Sequence, residues 1–184
     1  MANPNIAIEK VLKREGGLSD VKQDHGGRTK YGVTKPVLAE AIRLGLIAPG
    51  RTIDDLTRAE AALIYRVLFW DKMRLAEIRS QAIAGEVFDT GVNGAPATGI
   101  KILQRALVLW DRSIVADGKI GPKTIALTNQ VCTVRKDEVL LYKLLNLLQG
   151  DRYIDLVLED PSQMTFLRGW VNERVSLDPA TEEK

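Results

Sequence analysis

Residues 5–15 read Asn-Ile-Ala-Ile-Glu-Lys-Val-Leu-Lys-Arg-Glu and run straight into Gly16-Gly17. Ile8, Val11, Leu12 and Glu15 fall at i, i+3, i+4 and i+7, the spacing of one face of an amphipathic helix. Glu15 therefore continues an apolar stripe and faces the core side. The two glycines supply the left-handed residue that closes a helix, which sets Glu15 in the last turn, at the negative end of the macrodipole. Burial and the dipole both disfavour a negative charge there and favour the proton-carrying form. A carboxyl group that keeps its proton near neutral pH is a general acid, and glycosidic cleavage needs one to protonate the departing sugar oxygen. The competing reading is a frayed helix end whose glutamate reaches solvent past the glycines. Position alone leaves both readings open.

The segment after this helix reads as a shaped loop or small hairpin. Residues 15–34 are dense in Gly, Asp and Ser, with little helical periodicity before Thr34. Gly26-Gly27 after Asp24-His25 is turn chemistry, and Lys30-Tyr31-Gly32-Val33-Thr34 alternates well enough for a short strand. Two further carboxylates, Asp20 and Asp24, and the hydroxyls of Thr29 and Tyr31 are thus close to Glu15 in sequence. One of the carboxylates could hold a water molecule or steady positive charge on a sugar ring.

The Glu15-Gly16-Gly17-x-x-Asp20 start and the run Asp24-x-Gly26-Gly27-x-Thr29-x-Tyr31-Gly32-Val33-Thr34 are joined by Gly91-Val92-Asn93 and by Asp117-Gly118-x-x-Gly121-Pro122-x-Thr124. Together they resemble the family 108 glycoside hydrolases, muramidases of the bacteriophage endolysin type that carry a peptidoglycan-binding region behind the lytic one. The likeness extends from about Ile6 to Val175 and implies that Glu15 is the catalytic glutamate. Glu15, Asp24 and Thr29 are also similar in order to the Glu, Asp and Thr of phage-type lysozymes, although the gap from Asp to Thr is one residue shorter here. Leu18 stands where an aromatic residue is common, and His25 where the family usually has a residue such as Pro. Both read as changes at the edge of the cleft.

A chain of 184 residues, 45% of them apolar, suits one domain or two small ones and is ample for a core. A net charge of +2 argues against nucleic acid as the target, while a pI near 8.7 suits approach to an anionic cell wall. The single Cys132 excludes an intramolecular disulfide and fits synthesis in a reducing cytoplasm; its neighbours Val131 and Val134 indicate a buried thiol. One histidine and one cysteine cannot assemble a His/Cys zinc site or a Cys/His nucleophilic pair. No metal and no cofactor are expected, and a zinc amidase or a cysteine peptidase is set aside. No charged segment followed by an apolar one opens the chain, and no apolar run approaches the ~18 residues that span a bilayer. Neither signal-peptide export nor stable membrane insertion is expected. Delivery from the cytoplasm to the periplasm or cell wall would fall to a holin or a secretion system.

The rest reads as helices. Thr34 caps one through about Arg43, ending at Gly45, and Thr57-Arg58-Ala59-Glu60 is a capping box for a helix bearing Ala61, Ile64, Tyr65 and Leu68. Thr98 opens a helix whose Ile100, Leu103, Leu107 and Trp110 form one stripe, and Pro122 begins another after the Asp117–Gly121 turn. Two more cover roughly 137–158, with a break at Gly150, and 163–175, with Phe166, Leu167, Trp170 and Val171 on the buried face. The segment Phe88–Gly94 breaks periodicity. Either it places Asp89 and Asn93 to bond sugar hydroxyls, or it is an interhelix turn that uses Asn for its backbone tolerance. Gln104, beside the apolar stripe, is a further ligand candidate, whereas Trp70 and Trp110 read as core. The expected architecture is mainly α and lysozyme-like, with a small loop or hairpin after the first helix. Its expected parts are a catalytic region over 1–86, a helical peptidoglycan-binding region over 87–176 packed against it, and a flexible tail over 177–184.

Three function classes fit. The first is hydrolysis of the β-1,4 bond between N-acetylmuramic acid and N-acetylglucosamine, with Glu15 as acid and Asp24, or else Asp20, assisting. The second is a lytic transglycosylase, in which the muramyl 6-hydroxyl replaces water and one glutamate suffices; only this reaction leaves 1,6-anhydro ends. The third is a non-catalytic wall-binding protein, against which the intact Glu-Gly-Gly motif weighs. In all three the partner is the peptidoglycan glycan strand.

Overall fold

The computed structural model describes residues 1–19 and 28–179. Asp20, Asp24 and His25 lie outside the described residues, as do residues 180–184 of the expected tail. The fold is mainly helical and lysozyme-like. Helix α1 (Pro4–Glu15) is followed by two short strands, β1 (Leu18–Ser19) and β2 (Thr29–Lys30), then α2 (Lys35–Arg43) and α3 (Arg58–Tyr65). Helices α4 (Gln81–Asn93), α5 (Pro96–Leu107), α6 (Pro122–Thr133), α7 (Glu138–Glu159) and α8 (Met164–Arg174) complete the described chain. Its contacts divide it into two compact units, Pro4–Lys72, and Met1–Asn3 with Met73–Lys184. Residue 86, the expected functional division, falls inside α4.

In the Pro4–Lys72 unit, α1 buries Ala7, Ile8, Val11 and Leu12, the face that its spacing predicts, and packs on α3. Thr57 caps α3 as expected: its side chain accepts from the Glu60 amide at 3.2 Å, and Glu60 Oε2 accepts from the Thr57 amide at 2.8 Å. Thr34 precedes α2, but its side chain makes no cap bond. Pro36 stands two positions on and lacks the N–H that a cap would engage there. Past Tyr65 the helix widens into a π turn over Arg66–Asp71. The residue that a π turn inserts shifts the phase of the buried face. Ala61, Ile64 and Tyr65 are buried as their spacing predicts, but Phe69 and Trp70, not Leu68, continue the core.

The second unit is built on α4, which packs on α5 and α7. Residues 82–91 are all buried, so Phe88–Gly94 is helix as far as Asn93 and not a break. A helix buried all round has no polar face and therefore shows no amphipathic period. Its partner α5 approaches very closely: a Cβ on Gly99 would stand 2.4 Å from the Val87 carbonyl oxygen. Trp110 lies past the end of α5, half-buried, with its indole N–H donating to Asp137 at 3.0 Å. Helix α7 runs unbroken through Gly150, because packing along Leu141, Tyr142, Leu145, Gln149 and Tyr153 outweighs the ~1 kcal/mol that an interior glycine costs. Helix α8 buries no residue fully; Phe166, Leu167 and Trp170 are half-buried and Val171 is exposed. Trp170 instead stacks between Tyr153, centroids 5.1 Å apart, and Phe166, at 5.9 Å.

Candidate active site

Helix α1 ends at Glu15, and Gly16 comes next with φ +65°, the left-handed closure that the paired glycines predict. Glu15 is half-buried. The chain then pairs antiparallel, Leu18 opposite Lys30 and Ser19 opposite Thr29, and the Tyr31 amide donates to the Gly17 carbonyl at 3.3 Å. The strand expected to reach Thr34 stops at Lys30. Lys30 and Val33 exchange two main-chain bonds, of 3.4 and 3.0 Å, across Tyr31 and Gly32, whose φ angles are +54° and +74°. Positive φ at both central residues marks a type I′ turn. Glycine adopts such angles freely, whereas an L-residue such as Tyr31 is held there at a cost of roughly 1–2 kcal/mol.

The hold comes from α3. Tyr65 is 1% exposed, and its hydroxyl donates to the Tyr31 carbonyl at 2.8 Å. A Cβ added to Gly32 would meet Tyr65 Oη at 2.6 Å, Glu15 Cγ at 2.8 Å and Glu15 Cδ at 3.0 Å. The carboxyl end of Glu15, the turn backbone and the tyrosine hydroxyl thus crowd one point, which stays open because residue 32 has no side chain. On the other side of the hairpin, Arg28 donates to Asp54 Oδ1 through Nε at 3.0 Å and Nη2 at 2.6 Å, and Lys30 Nζ donates to the Asp54 carbonyl at 2.6 Å. These bonds fix β2 to the loop that precedes α3. Thr29 is buried, and the Lys30 ammonium lies 5.9 Å from the Tyr31 ring centroid. Glu15, Thr29 and Tyr31 are therefore carried by one helix end and one anchored hairpin.

The candidates in the other unit point inward. Asp89 Oδ1 accepts from Arg174 Nη1 at 3.0 Å, with side chains 9% and 10% exposed. Asn93 is half-buried and donates to the Tyr153 hydroxyl at 2.9 Å. With its amide oriented so that both ends are satisfied, Gln149 links the same cluster: it donates to Glu86 Oε1 at 3.0 Å and to the Arg174 carbonyl at 3.2 Å, and accepts from the Thr90 hydroxyl at 3.1 Å and the Tyr153 hydroxyl at 3.2 Å. Burial, aided by the Asp89 charge, pushes the Tyr153 phenol well above its ordinary range. Gln104, 2% exposed, donates to Asp117 Oδ1 at 3.0 Å and the Lys119 carbonyl at 3.1 Å, and accepts from the Gly118 amide at 2.8 Å. It pins the Asp117–Gly121 turn. Asp89 and Gln104 thus hold their own unit together through buried polar contacts.

Sequence reading missed Tyr65 and Gly32. Tyr65 sits on the apolar stripe of α3 and reads as core; the one signal was a hydroxyl where Phe would pack as well. Among the described residues no group of three or more His, Cys, Asp or Glu could hold a metal ion, and no helix is long and apolar enough to cross a membrane.

The lysozyme-like helical fold thus carries a half-buried carboxyl group at the end of its first helix, beside a hairpin anchored to the loop before α3. Residues 8–94 match the family model described as Glycosyl hydrolase 108, and residues 98–175 match the one described as Predicted Peptidoglycan domain. Together the two regions make it a peptidoglycan hydrolase. The fold is similar to the solved structure of Brucella abortus SagA, with a TM-score of 0.72 and 24% identity over 98% of this chain and 93% of that one. No curated protein matches the chain significantly.

Proposed function

We propose that this chain is an N-acetylmuramidase that hydrolyses the β-1,4 bond between N-acetylmuramic acid and N-acetylglucosamine. The observation that carries this reading is the placement of Glu15, half-buried at the end of α1 with its carboxyl end packed against the Tyr31–Gly32 turn. Glu15 protonates the departing sugar oxygen. Asp24, or else Asp20, aligns the attacking water or stabilises the oxocarbenium-like transition state, the Thr29 hydroxyl assists, and Tyr31 contacts the sugar. The region through about residue 86 supplies the chemistry, and the helices behind it hold the glycan strand. In the cell the enzyme reaches the wall through a holin or a secretion system.

The test is digestion of purified sacculi followed by borohydride reduction and mass analysis of the fragments. Muramidase action gives fragments that end in reducible N-acetylmuramic acid. Fragments with 1,6-anhydro ends would mean transglycosylation, and ends in N-acetylglucosamine would mean cleavage of the other glycosidic bond.

A further inference from the structure

We propose that Tyr65 is a positioning residue for Glu15, acting through the Tyr31–Gly32 turn; this rests on the reading of Glu15 as the acid. Tyr65 is almost wholly buried on a helix face it shares with Ala61 and Ile64, where Phe would fill nearly the same space. A buried phenol requires a partner, and Tyr65 donates its hydrogen bond to the main-chain carbonyl of Tyr31, which among the described residues of the hairpin is the one whose backbone is left-handed without being glycine. The bond holds that unfavourable conformation closed, and the closed turn is the surface against which Glu15 Cγ and Cδ rest.

The direction of the hydroxyl is itself fixed. Phe69, four residues on, packs against the Tyr65 ring at a centroid distance of 5.6 Å and an angle of 55°, and helix α3 changes to a π turn immediately after Tyr65. Such π turns recur at functional sites, where they re-aim side chains. The chain Phe69, Tyr65, Tyr31, Gly32, Glu15 is continuous and lies wholly within residues 4–72. Loss of the hydroxyl frees the turn, and a carboxyl displaced by ~1 Å from its productive geometry loses up to about 100-fold in rate.

The test is Tyr65→Phe, assayed on two soluble glycan oligomers. One carries a sugar leaving group, which needs protonation, and the other a nitrophenolate, which departs with little help. The expected result is a kcat lower by about tenfold to 100-fold on the first, with KM changed less than about twofold, and a much smaller deficit on the second. Equal losses on both substrates, or none on either, would overturn the proposal. Gly32→Ala, which presses on the same atoms, should give the same unequal pattern and serves if Tyr65→Phe does not fold. Glu15→Gln in the same assay separates the two claims. If it stays active on the sugar-linked oligomer, the acid assignment fails. If it is inactive while Tyr65→Phe matches the parent enzyme, the positioning role alone fails.

Discussion

Gly32 and Glu15 are so close that a methyl group on residue 32 would stand 2.8 Å from Glu15 Cγ. The same methyl would have to tolerate a φ of +74°. Gly32→Ala therefore combines about 1–2 kcal/mol of backbone strain with displacement of the carboxyl group. A modest fall in melting temperature is expected, with a loss of wall-cleaving rate far larger than that instability accounts for. Turnover on sacculi and a thermal melt measure the two effects separately. Turnover close to that of the parent enzyme would show that the contact does not matter to catalysis.

Asp89 and Arg174 form a pair with side chains only 9% and 10% exposed. Removing one partner of such a pair leaves a buried charge and costs about 3–5 kcal/mol. Arg174→Met should lower the urea midpoint markedly, and adding Asp89→Asn should recover part of the loss. A single variant as stable as the parent protein would contradict the structural role assigned to Asp89.

The capping box gives a pH dependence of known sign. The Thr57 amide holds the Glu60 carboxyl below its ordinary value of 4.5, with burial opposing and the Thr57 hydroxyl and Arg51 assisting. A value lowered on folding adds stability that is present above pH 4.5 and lost as pH falls through the folded value. Glu60→Gln should therefore melt below the parent protein at neutral pH, with the gap closing in acid. Thr57→Ala should cost about 1 kcal/mol. A gap that widens in acid would contradict this account.

Burial, together with the nearby Glu138 charge, raises the Cys132 thiol to about 12. The native thiol should react with disulfide reagents near pH 8 only at the rate of unfolding, and immediately in denaturant. Because the folded value is the higher one, stability should also fall as pH rises from the ordinary thiol value towards about 12. Fast labelling of the native protein would place the thiol at the surface.

The features legible in the sequence obey local rules. The end of α1 at the glycines, the Thr57 cap and the buried stripe of α1 each depend on residues within one or two turns. Glu15 stood out because it broke such a rule. The rest depends on tertiary packing. Helix α4 looked broken because enclosure on every side erases the polar face that marks a helix. The π turn after Tyr65 has no local signal, so the stripe was carried on to Leu68, which is only half-buried, while Trp70 is buried as its reading as core expects. Asp89 and Gln104 looked like polar groups available to a ligand, yet each is engaged by a residue at least 13 positions away, Arg174 or the Asp117 turn. The Tyr65 hydroxyl was invisible for the same reason: its partner, Tyr31, is 34 positions earlier.

The central claim is that Glu15 donates the proton. Gln keeps the shape and hydrogen bonding of the side chain but removes the acid, a contribution of about 10²–10⁴-fold. The direct measurement is the rate of turbidity loss of purified sacculi with Glu15→Gln, alongside its melting temperature and its binding to sacculi. The account predicts cleavage reduced at least 100-fold, binding retained and stability unchanged or slightly higher. Cleavage within a few-fold of the parent enzyme, from a variant that folds and binds, would contradict it.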